Sequence, residues 1–140
     1  MGRSAASMFL LSALAVALAG CLDDKPSQPV ANIYPAKYRE EIIATLKINV
    51  FKNNETTSVS NAFVSEPVLQ QIGKEQHYVA CVRYTARGTA YNLTADATRI
   101  GYFYGGHLNQ LIEASKTDCA NAVYKPFPEL NEFCIGQSCK

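Results

Sequence analysis

His77-Tyr78-Val79-Ala80-Cys81-Val82-Arg83-Tyr84-Thr85-Ala86 is the run on which the fold turns. β-branched and aromatic residues dominate it, and neither Gly nor Pro interrupts it. Apolar side chains fall on both of its period-two faces, which places it in the middle of a sheet. Downstream, Ile100, Tyr102 and Tyr104 alternate before Gly105-Gly106, and Leu108, Leu111 and Ile112 resume beyond. The glycines suggest a bulge or bend within a single strand over 98–114. Upstream, 57–69 is rich in Ser, Val and Ala, with Pro67 marking a break or an edge position, and 73–76 is a turn.

A helix is expected before these strands. Over 34–51, Pro35 suits a first turn, and Tyr38, Ile42, Leu46 and Val50 recur at i, i+4 spacing with Ile43 beside them. Glu40 and Glu41 sit at the favourable end of the helix dipole, and Lys47 and Lys52 lie near the other end. Ile48 and Val50 are β-branched, so a strand over 46–51 is an open alternative. From 115 onward the chain reads as irregular, with Pro126, Pro128 and one helical turn over 129–133. The expectation is an α+β domain spanning 34–140: one N-terminal helix packed on an antiparallel sheet of about three strands, with an irregular, disulfide-stapled C-terminal segment.

The chain starts differently. Met1-Gly2-Arg3 is a short basic opening, and 5–19 is an uncharged apolar run broken only by Ser7 and Ser12. A run of about 15 residues fits the core of a signal peptide, whereas a spanning helix needs about 20. The run ends in Leu18-Ala19-Gly20-Cys21, which resembles the bacterial lipobox. That resemblance implies cleavage before Cys21, a diacylglycerol on its thiol and acylation of the freed amine. One acyl chain anchors marginally and several anchor firmly. Residues 1–20 are then a signal peptide, and 21–33 are the lipidated Cys21 and a polar tether containing Pro26 and Pro29. In enteric lipoprotein sorting, Asp directly after the lipidated Cys favours the inner membrane. Leu22 stands there, which implies an outer-membrane protein facing the periplasm.

Removing 1–20 removes only Arg3 from the charged residues, so the mature chain is formally neutral. A neutral chain has no basic excess for nucleic acid. Setting Cys21 aside leaves Cys81, Cys119, Cys134 and Cys139, an even number in an exported chain. Two disulfides are expected, with three possible connectivities. Cys134 and Cys139 could close a short loop around Gly136. Cys81 could join Cys119 or Cys134, and joining it to the tail staples the irregular segment to the sheet.

The cysteine spacing is neither C-x-x-C nor a zinc pattern, so neither redox chemistry nor a metal is expected. His77 and His107 have no ligand-spaced partner, and no nucleophile elbow, H-E-x-x-H or phosphate loop occurs. No catalytic residue and no cofactor are expected. Eight tyrosines and no tryptophan leave Tyr102 and Tyr104, with His107, as a candidate interaction surface. The chain is similar in general build to small envelope lipoproteins of Gram-negative bacteria. The resemblance implies a non-catalytic structural, assembly or interaction role with another envelope protein as partner. An alternative is a periplasmic inhibitor or binding module, similar to disulfide-containing lipoproteins that block lysozymes. An unrecognised hydrolase is the remaining reading.

Overall fold

The computed structural model describes residues 32–88 and 93–139; the expected signal peptide, Cys21 and most of the tether lie outside the described residues. The central strand is where the sequence places it. β3 (Glu75–Gly88) carries the opening run and is the longest strand of an antiparallel sheet. Along one side it pairs with β4 (Thr94–Tyr104), and β4 pairs with β5 (His107–Glu113). Along its other side lie β1 (Thr56–Ser65) and β2 (Val68–Ile72), one after the other. β6 (Tyr124–Pro126) pairs with the outer edge of β1.

The expected helix on about three strands with an irregular tail is therefore wrong, because the sheet has six strands. Three local causes account for the difference. Gly105 and Gly106 both adopt positive φ, at 59° and 84°, and connect Tyr104 directly to its partner His107. Two consecutive left-handed residues make a tight type I′ hairpin turn, so 98–114 folds back on itself as two strands. The bulge falls elsewhere, between Tyr102 and Phe103. Glu66-Pro67 splits the upstream segment into β1 and β2, and both parts pair with β3. Finally, 124–126 leaves the irregular tail to become an edge strand, where Pro126 costs little.

The helix over Tyr38–Thr45 (α1) continues to Phe51 by widening into a π-helical turn over Leu46–Phe51. Lys52 N–H donates to Lys47 O at 3.3 Å, the i→i+5 bond of that geometry. The wider turn explains which side chains go inward. Ile42, Leu46 and Phe51 are fully buried, spaced by four and then by five. The strand alternative over 46–51 does not occur.

Each face of β3 has its own cover. Ala80, Val82 and Tyr84 pack beneath the helical layer with Ile42, Leu46, Phe51 and Phe103, and with Phe127 and Leu130 of the short α2 (Pro128–Asn131). Val79 and Cys81 face the opposite way, with Ile100, beneath Ala114, Cys119 and Ala122 of the segment linking β5 to β6. Arg39 joins α1 to α2: its guanidinium donates to both carboxylate oxygens of Glu129 at 2.9 and 3.2 Å and to Pro126 O at 2.8 Å, and lies over Phe127. Burial pushes the pKa of Tyr84 up, opposed by Arg99, whose Nε donates to its hydroxyl at 3.1 Å.

Candidate functional site

Two disulfides form, Cys81–Cys119 and Cys134–Cys139. The first decides the shape of the face opposite the helices. Cys81 sits mid-strand at the centre of the sheet, and its bridge draws the 115–123 segment down over Val79 and Ile100. Ser65, buried on β1, supports the same spot by accepting from Cys81 N–H at 2.9 Å. The second bridge closes a five-residue span about Gly136, whose φ of 70° permits the bend.

The pinned segment does not reach across the whole face. A cleft of about 570 Å³ opens between it and β1–β2, lined by Ser65, Val68, Gln70, Asp118, Asn121 and Lys125 among others. A shallower one of about 330 Å³ lies over Ile72, His77, Tyr102, Asn109, Gln110 and Ile112. Val68, Ile72 and Ile112 keep 58 %, 39 % and 46 % of their surface in solvent. Aliphatic, amide and hydroxyl side chains line these clefts, with His77 and Tyr102 in the smaller and Glu66, Asp118 and Lys125 around the larger. There Lys125 is paired with Glu66, which holds the Glu66 carboxyl below the usual carboxylate range. Arg83 lies between Phe63 and Tyr124, 4.7 and 4.5 Å from their ring centres, and ties β6 to this face.

The candidate interaction residues separate. Tyr102 and Tyr104 are half-buried on this open face, and Tyr104 stacks at 5.3 Å on His77. His107 is instead held by α1, with its Nδ1 3.0 Å from Glu41 Oε1. The other oxygen of Glu41 accepts from Leu108 N–H, so this carboxylate latches the β4–β5 hairpin to the helix. The latch is the feature that sequence reasoning missed. Glu41 was legible only as a favourable helix-dipole charge, and its partners lie 66 and 67 residues away.

No protein-family model matches the chain, and neither does any curated protein or solved structure. Residue chemistry must carry the functional reading. Among the described residues, no group of three or more His, Cys, Asp or Glu side chains is placed to hold a metal ion. The His107–Glu41 pair is exposed on its imidazole side, and its carboxylate is committed to a backbone amide. That arrangement is a structural clasp. Glu41→Ala is expected to cost about 1–3 kcal/mol, since it leaves the Leu108 amide without its partner. Denaturant midpoints of the variant and wild type measure the loss. An unchanged midpoint would remove the latch from the account.

Proposed function

We propose that the chain is a lipoprotein precursor, cut before Cys21, whose domain is anchored by lipid to the outer membrane and faces the periplasm. The domain acts there by contact with another envelope protein rather than by catalysis. The observation that carries this reading is Leu18-Ala19-Gly20-Cys21 at the end of an uncharged apolar run. Four further cysteines that pair into two disulfides support export to an oxidising compartment. The half-covered face with Tyr102, Val68, Ile72 and Ile112 supports a contact role, because apolar groups beside amides favour a protein partner.

The tether supports the same reading in its geometry. The described chain begins beside the β2–β3 turn, where Asn32 Nδ2 donates to Gln76 Oε1 at 3.3 Å, and Tyr34 packs edge-on against Tyr78. The ten residues 22–31 between Cys21 and Asn32 span at most about 33 Å at roughly 3.3 Å per residue, enough to hold the domain clear of lipid headgroups. Labelled palmitate fed to a Gram-negative host expressing the full chain is expected to enter the wild-type protein and not Cys21→Ser. Equal labelling of both, or labelling of neither, would overturn the anchor. A photo-crosslinker at Tyr102 is expected to capture a distinct envelope protein in the same cells. Its failure to do so would overturn the contact role.

A further inference from the structure

Among the described residues, nothing pairs with the outer side of β2. Its inner side is paired with β3 from Val68↔Val79 to Ile72↔Glu75. The two-residue turn Gly73-Lys74, with Gly73 at φ 63°, makes Ile72 and Glu75 a bonded pair. Alternation along the ladder then turns the N–H and C=O of Leu69 and Gln71 away from β3. The neighbouring edges are better managed. β6 covers the outer edge of β1, and Glu41 takes the Leu108 amide on β5. Val68-Leu69-Gln70-Gln71-Ile72 contains no charge, no Pro and no bulge, and all five residues are exposed. Edges in monomeric proteins are ordinarily blunted by at least one of these devices.

We infer that this edge is the seam of a homodimer, in which β2 of a second copy pairs antiparallel about a two-fold axis at Gln70. The strand is complementary to itself in that register. Leu69 lies opposite Gln71 of the partner, so the four outward backbone groups of each strand find mates. Val68 lies opposite Ile72 of the partner on the open face, and this happens twice, covering two exposed apolar side chains per copy. Just beyond the strand, Glu66 lies opposite Lys74 of the partner, again twice. Opposite charges therefore flank an uncharged centre. The lane is also the right length, since Tyr124 of β6 stands opposite Ser65 and ends it. Pairing keeps both open faces on the same side, so the clefts of the two copies lie on one continuous sheet. The copies run in opposite directions, and because Asn32 bonds Gln76, which pairs with Gln71 one residue from the axis, both described chains begin close to the centre of the dimer.

The test uses the full mature chain in detergent, with mass measured by sedimentation across a dilution series. Wild type is expected to be a dimer that dissociates on dilution. Gln70→Lys and Gln70→Glu each place like charges across the axis, and each alone is expected to weaken the dimer roughly tenfold or more. Mixing the two variants is expected to restore it as a heterodimer. That recovery separates a seam effect from a folding defect, because both proteins must be folded to associate. A monomeric wild type, or a dimer equally strong in both single variants, would overturn the seam. Monomeric variants that fail to recombine would overturn it as well. None of these outcomes depends on whether Cys21 carries lipid.

Discussion

Removing the Cys81–Cys119 bridge, as Cys81→Ala/Cys119→Ala, is expected to destabilise the domain by about 4 kcal/mol. The bridge spans 38 residues, and closing a loop of that size in the unfolded chain accounts for a loss of this magnitude. The five-residue Cys134–Cys139 bridge should cost about 2 kcal/mol by the same relation. The larger bridge also has a local role. It is the covalent hold on the 115–123 segment above Val79 and Ile100, and without it that apolar pair meets solvent. Hydrogen exchange should therefore accelerate first in the segment and at the centre of β3 and β4, with the helical layer following only at global unfolding. Equal losses for the two double variants would show that the central staple is not the principal one.

Phe51→Ala is the second large effect, at about 3–5 kcal/mol. The ring is fully buried at the end of the π-helical turn, 4.6 Å from Phe133 and 5.6 Å edge-on to Tyr84. It joins the helical layer to the C-terminal segment and to the central strand at once. Small domains have about 5–15 kcal/mol of total stability, so this one truncation takes a large share. Ile48, in the same turn but 66 % exposed, is the control. Ile48→Ala should change stability by no more than about 0.5 kcal/mol. Thermal or denaturant unfolding of the two variants measures both, and a large loss at Ile48 would contradict the five-residue spacing of the inward side chains.

The central strand was legible because its signal is local: ten residues apolar on both faces admit few other environments. The first turns of the helix were legible for the same reason, since Tyr38, Ile42 and Leu46 keep one spacing. The change from four to five at Phe51 is also written in the chain, but it is visible only once Val50 is known to sit at the margin of the core. Gly105-Gly106 was ambiguous in principle. A glycine bulge and a type I′ turn both call for positive φ, and strand residues follow either one. β6 is too short for periodicity to register, and what holds it is the stacking of Arg83 between Phe63 and Tyr124, which no local pattern reveals. The alternating Tyr102 and Tyr104 were readable as one face. His107, the third member of that candidate surface, was not, because a carboxylate 66 residues away determines where its ring goes.

The clefts and the open edge share a cause with the staple. Bridging Cys81 to Cys119 commits the chain after β5 to the centre of the open face, and it returns to the sheet only at Tyr124. Among the described residues the lane beside β2 stays vacant as a result, and Val68, Ile72 and Ile112 stay partly exposed. A domain that merely needed to be stable would cover that surface. Leaving it open suits the contact role proposed above.

Mass spectrometry of the N-terminus of the protein extracted from the cell envelope tests the central claim most directly. The mature chain is expected to begin at Cys21 and to carry a thioether-linked diacylglycerol. An N-terminus at any other residue, or a Cys21 with a free or disulfide-bonded thiol, would contradict it.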